Sequence, residues 1–129
     1  MNFELTREQE LVQQMVREFA VNEVKPKAAE IDETEEFPME NVKKMAKLGM
    51  MGIPFPKEVG GAGGDVLSYI IAVEELSKAC ATTGVILSAH TSLCASVINE
   101  NGTPEQKAKY LPDLCSGKKI GAFGLTEPG

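Results

Sequence analysis

His90 is the only histidine among the 129 residues, and Ser88, Thr91 and Ser92 stand beside it on the most apolar stretch of the chain. An imidazole among hydroxyls raises general-base and metal chemistry, but no carboxylate or cysteine cluster accompanies it and no serine stands in a G-x-S-x-G elbow. Residue type and setting make His90 a packed or cavity-lining side chain, and the hydroxyls can bond the carbonyl one turn back. The run Gly60-Gly61-Ala62-Gly63-Gly64 precedes a helix, a position that raises the question of a phosphate cradle. Yet no strand leads into it, the G-x-G-x-x-G spacing fails at Val66, and Asp65 puts a negative charge where a phosphate would sit. The run reads as a turn that needs unusual backbone angles. The acidic residues Glu30, Asp32, Glu33, Glu35 and Glu36 lack the spacing of a calcium loop and read as a solvated connector. Cys80, Cys94 and Cys115 are odd in number, widely spaced and without a C-x-x-C pair, which suits reduced thiols in a helical core. The final phrase, Ile120-Gly121-Ala122-Phe123-Gly124-Leu125-Thr126-Glu127-Pro128-Gly129, alternates apolar and small residues before a hydroxyl, an acid and a turn. It reads as one strand stopping inside a turn, and one strand makes no sheet. The chain is therefore expected to be the front part of something larger, with these ten residues at the edge of an active site.

Helices must position these groups. Thr6 and Gln9 form a capping box ahead of Leu11, Val12, Met15, Val16, Phe19 and Ala20, which recur on one helical face. Pro26 is expected to kink or end that helix, with a short restart over 27–31. Pro38 opens a second helix that buries Met39, Val42, Met45, Ala46 and Leu48, and Gly49 closes it in the left-handed conformation. Asp65 caps a third over 65–80, with Leu67, Ile70, Ile71, Val73 and Leu76 as its apolar face. A fourth, over 82–99, is apolar nearly all round and so belongs in the middle of a bundle. Gly102 ends it. Thr103-Pro104-Glu105-Gln106 opens a fifth with a second capping box, which Pro112 is expected to split into two pieces. The short connections favour a mainly antiparallel, all-α bundle. Residues 1–117 form this helical domain, and 118–129 open a truncated β-domain with its first strand.

Composition narrows the partners. Thirteen Lys and Arg against nineteen Asp and Glu give a net charge of −6, without a basic stripe, so nucleic acid is excluded as a partner. The N-terminus lacks a basic segment followed by an apolar run, and nowhere do eighteen apolar residues follow one another, so neither secretion nor membrane spanning is signalled. The expected location is cytoplasmic.

Several phrases fall in one family order. Gly52-Ile53-Pro54 leads to the Gly60-Gly61-x-Gly63 loop, then Val73-Glu74-Glu75-Leu76-Ser77 and Asn101-Gly102-Thr103-Pro104-Glu105-Gln106-Lys107. Lys109-Tyr110-Leu111-Pro112-x-Leu114-x-x-Gly117 and Leu125-Thr126-Glu127-Pro128-Gly129 complete the series. Over essentially the whole chain this resembles the acyl-CoA dehydrogenase family. Residues 65–78 and 84–96 are similar in particular to its bacterial short-chain, butyryl-CoA-type members. The resemblance implies an N-terminal helical domain, followed in the family by a β-domain and a C-terminal helical domain. It implies FAD as cofactor, α,β-oxidation of a short-chain acyl-CoA to the trans-2-enoyl-CoA, and an electron-transferring flavoprotein as electron acceptor. It further implies a homo-oligomer, a tetramer in the parent enzyme. Position by position, Phe123, Leu125 and Thr126 resemble residues along the flavin, the first by packing and the others by hydrogen bonds to its polar edge. Ile86, Ala89, His90 and Leu93 resemble the wall at the far end of the acyl pocket, on one shared helical face. Glu74, Glu75 and Glu127 match no catalytic role, since the family's catalytic glutamate lies in the C-terminal domain; the 129 residues alone are not expected to catalyse the reaction. Two alternatives stand beside this reading: an acyl-CoA oxidase on the same scaffold, and a standalone helical interaction module derived from the family.

Overall fold

A computed structural model describes all 129 residues, and every regular element in it is helical. Both capping boxes form. Gln9 N–H donates to Thr6 Oγ1 at 3.2 Å and Gln106 N–H to Thr103 Oγ1 at 3.2 Å, each with the reciprocal glutamine bond, so α1 (Arg7–Phe19) and α7 (Pro104–Cys115) begin where their sequences direct. Asp65 caps α4 (Val66–Ala79) by accepting Ser68 N–H at 2.7 Å, and its other oxygen accepts the Gln9 amide at 2.8 Å. One carboxylate thus joins the starts of α1 and α4. These bonds hold it below the usual carboxylate range, the Ser68 backbone bond first.

At Pro26 the α-helix gives way to altered turns without ending the helical run. A π-helical turn at Ala20–Val24 and a 3-10 turn at Lys25–Lys27 absorb the missing N–H and the ring, and α2 (Ala28–Thr34) continues the run. Glu30, Asp32 and Glu33 consequently lie on a helix, and only Glu35 and Glu36 connect; Glu35 closes α2 at φ 58°. Pro112 likewise fails to split α7, whose last turn is held down by buried Leu111, Leu114 and Cys115. Helix α3 (Met39–Lys47) buries Asn41, Val42 and Met45, whereas Met39 and Leu48 are exposed. The buried stripe starts at Pro38 and misses Met39 by one helical step, and Leu48 lies beyond the last turn. Gly49 adopts the expected left-handed conformation at φ 78°.

Helices α4 and α5 (Ala81–Ser88) are joined through the single residue Cys80 and run antiparallel, with Gly84 against Ser77 and Tyr69 Oη 2.6 Å from Ser92 Oγ. Gly84 is what lets them touch, since a Cβ there would stand 1.9 Å from Ser77 Oγ. Helices α1 and α4 instead run parallel, Gln9 meeting Asp65 and Arg17 meeting Glu75, because α2, α3 and the 50–64 turns carry the chain back between them. The main core lies among α1, α3, α4 and α5 and includes Val16, Met45, Met50, Leu76 and Leu87. A second cluster of Phe55, Ala95, Leu111, Leu114 and Cys115 seats α7. All three cysteines are free, Cys80 and Cys115 buried.

From α5 the chain continues through a π-helical stretch, Ala89–Ala95, into α6 (Ser96–Asn101). This 21-residue rod is long and apolar enough to cross a membrane by length and composition, but here it serves as a core helix with Leu87, His90, Thr91 and Ala95 buried. It is not buried all round: Val85, Leu93 and Val97 are 64%, 47% and 47% exposed. Leu67 and Ile70 of α4 are also exposed, so its buried face narrows to Ser68, Tyr69, Ile71, Ala72, Glu75 and Leu76. The strand expected at the chain's end does not form. Residues 122–129 make no backbone hydrogen bond, because no neighbouring strand offers them one.

Candidate functional site

The π-helical stretch carries His90 into the interior, where it is fully buried and both ring nitrogens are bonded. Gly121 N–H donates to Nδ1 at 2.9 Å, which leaves the ring proton on Nε2, 3.1 Å from the Met51 carbonyl that accepts it. Burial pushes the imidazole below its ordinary 6.5, opposed by the Met51 and Leu114 carbonyls. The neutral ring therefore ties the central rod to the Met50–Gly52 turn and to the last segment of the chain. Cys94, four residues on, meets the same glycine: a Cβ at Gly121 would lie 2.7 Å from Cys94 Cβ and 2.8 Å from its Sγ. Only a residue without a side chain lets the backbone come this close.

Beyond Gly121 the segment opens outward. Phe123 and Leu125 are 53% and 76% exposed, Thr126 is exposed, and a Cβ at Gly124 would meet nothing within 4 Å. The backbone groups and the Thr126 hydroxyl have no protein partners. A planar ligand with a polar edge would find an apolar face in Phe123 and Leu125 and unengaged hydrogen-bonding groups at Leu125 and Thr126.

Ile86, Ala89, His90 and Leu93 do not share one environment. Ile86 and Ala89 are half-buried, Ile86 against the main core, while His90 is fully buried and Leu93 faces out. The single-face expectation assumed a uniform 3.6-residue period, and the wider turn at Ala89–Ala95 shifts the phase. His90's two partners lie 39 and 31 residues away, beyond the reach of any local pattern.

Glu75 is the one deeply buried carboxylate, and it is already committed. Arg17 Nη2 and Nε donate to its two oxygens at 2.9 and 3.1 Å, and Lys78 Nζ adds a bond at 3.2 Å. The Arg17 guanidinium holds it below the usual carboxylate range, against the opposing effect of burial and with help from Lys78. It is an ion-paired anchor, not a base. A carboxyl with a lowered folded pKa contributes stability that is complete above its ordinary value of 4.5 and is lost as pH falls through the folded value. Glu75→Gln should therefore flatten the fall in unfolding free energy between about pH 5 and 3. Equal pH slopes for the variant and the parent chain would disprove that contribution.

The architecture is an all-helical domain whose last segment is pinned at Gly121 and exposed beyond it. The family model for "Acyl-CoA dehydrogenase, N-terminal domain" matches residues 6–118, and the chain belongs to the acyl-CoA dehydrogenase family. It is 82% identical over 128 residues to the short-chain specific acyl-CoA dehydrogenase of Clostridium acetobutylicum, covering 99% of this chain and 34% of that protein. The solved butyryl-CoA dehydrogenase of Megasphaera elsdenii superposes with a TM-score of 0.93 at 43% identity, over 99% of this chain and 34% of that one. A solved chain from work on the electron transferring flavoprotein of Acidaminococcus fermentans gives 0.95 at 49% identity, again over 99% and 34%. The chain thus spans about a third of the length of the proteins it matches.

Proposed function

We propose that these residues are the N-terminal helical domain, 1–117, and the opening of the middle β-domain, 118–129, of an FAD-dependent short-chain acyl-CoA dehydrogenase. The observation that carries this reading is the 82% identity over 128 residues with a short-chain specific enzyme, of which this chain spans 34%. Phe123 would pack along the flavin, and Leu125 and Thr126 would offer hydrogen bonds to its polar edge. FAD held along Phe123, Leu125 and Thr126 would supply the hydride acceptor for oxidation of a butyryl-CoA-like thioester. This chain's part is to orient and enclose: the pinned segment fixes one side of the cofactor, and Leu93 with half-buried Ala89 and Ile86 walls the end of the acyl pocket. His90 stands behind that wall, because neither ring nitrogen is free to face a tail. The proton-abstracting base belongs to another part of the full-length protein. An electron-transferring flavoprotein would take the electrons, in a cytoplasmic homo-oligomer, a tetramer by family resemblance.

Thr126→Val in the full-length protein tests the reading. Loss of one hydrogen bond, worth about 0.5–1.5 kcal/mol, should weaken flavin retention by roughly 2- to 12-fold or shift its reduction potential. Unchanged retention and potential would remove Thr126 from the flavin site.

A further inference from the structure

The His90 bonds do more than fill space. An apolar side chain of similar volume would pack the interior without the desolvation cost of two nitrogens. Here each nitrogen meets a backbone group from a different part of the chain: Met51 on the Met50–Gly52 turn and Gly121 on the last segment. Within these 129 residues the Gly121 N–H is the last backbone group with a hydrogen-bond partner. Phe123 follows two residues later, so a displacement at Gly121 passes directly into the residues assigned to the flavin. Cys94 and the His90 carbonyl close on Gly121 from the helix side and leave no room for it to slide toward the rod.

We propose that His90 is a positioning residue: bonded through Nδ1 to the Gly121 N–H and through Nε2 to the Met51 carbonyl, it sets where the segment 122–126 leaves the helical body and thereby where Phe123, Leu125 and Thr126 meet the flavin. The flavin half of this statement rests on the function proposed above; the latch half rests on the two bonds alone.

Two substitutions separate the bonds. Asparagine places its Oδ1 where Nδ1 stands and keeps an acceptor for Gly121. Glutamine places its Nε2 where the histidine Nε2 stands and keeps a donor for Met51. His90→Asn and His90→Gln each lose one bond, so a merely structural role predicts similar behaviour. The latch predicts asymmetry. In the flavin-loaded full-length protein, hydrogen exchange read by mass spectrometry on peptides containing Gly121 should accelerate in His90→Gln by roughly fivefold or more relative to His90→Asn. The visible absorption of the bound flavin should shift in the glutamine variant and stay close to the parent in the asparagine variant. Faster exchange with a shifted spectrum supports the whole proposal. Faster exchange with an unmoved spectrum keeps the latch but overturns the placement of 122–126 at the flavin. Equal exchange in the two variants overturns the latch, whatever the spectrum does. If both variants fold poorly, Gly121→Ala provides the second route. Its Cβ would collide with Cys94 while His90 is intact, and an unshifted flavin spectrum in that variant would also overturn the proposal.

Discussion

Leu87→Ala is expected to lower the unfolding free energy by about 2–5 kcal/mol. Leu87 is 0% exposed and belongs to the main core, on a helix whose opposite side is open. The apolar burial this helix contributes is therefore concentrated on a few side chains, and truncating one leaves a cavity in the main core. Val85→Ala, two residues earlier and 64% exposed, should change stability by only about 0.5 kcal/mol or less. Urea unfolding reads both, as a shift in midpoint at constant slope. Comparable losses for the two variants would contradict the one-sided burial of the rod.

Gly61→Ala should cost about 3 kcal/mol, the upper part of the overpacking range. Its Cβ would lie 2.1 Å from the Phe55 carbonyl oxygen and 2.7 Å from Phe55 Cβ. That carbonyl cannot step aside cheaply. It accepts Gly63 N–H at 2.9 Å, while Gly61 donates to Pro56 at 2.9 Å, Ala62 to Gly52 at 2.8 Å and Gly64 to Ile53 at 2.8 Å. Displacing it would also loosen Phe55 in the cluster that seats α7. Gly49→Ala is the control: nothing lies within 4 Å, so only the strain of φ 78° remains, about 1–2 kcal/mol. If Gly61→Ala proves no more costly than Gly49→Ala, the loop yields where the bonding pattern says it should not.

Features that depend on a few neighbouring residues were legible in the sequence. Thr6 with Gln9, Thr103 with Gln106, Asp65 as a cap and Gly49 as a left-handed closure all form as read, since each needs partners only three residues away or none. Errors arose where a local rule met a non-local force. Pro112 should break its helix on steric grounds, yet buried leucines beside it keep α7 continuous, whereas at Pro26 the α-helix does give way to altered turns before the expected short restart in α2. The apolar fourth helix looked central on every side because sequence records hydrophobicity, not which neighbour supplies cover. The terminal strand has no partner strand within these residues, so its backbone makes no ladder here. His90 shows the same limit at the site. Its two hydrogen-bond partners lie 39 and 31 residues away and are set by the tertiary fold, which no local pattern records.

The widened turn at Ala89–Ala95 makes residue count, more than residue identity, the guarded quantity in the central rod. Deleting one residue there would let the stretch return to the ordinary α period with Ser96–Asn101 still facing α7, because the wide turn holds about one residue more than an α-helix of the same rotation. The same deletion would break the four-residue interval by which His90 and Cys94 both reach Gly121. Substitutions along the rod can be absorbed one contact at a time; a change of length between His90 and Cys94 cannot. Among related chains, changes in length should therefore collect in the exposed 35–37 connector between α2 and α3, while the 21 residues of Ala81–Asn101 keep their number even where their letters drift.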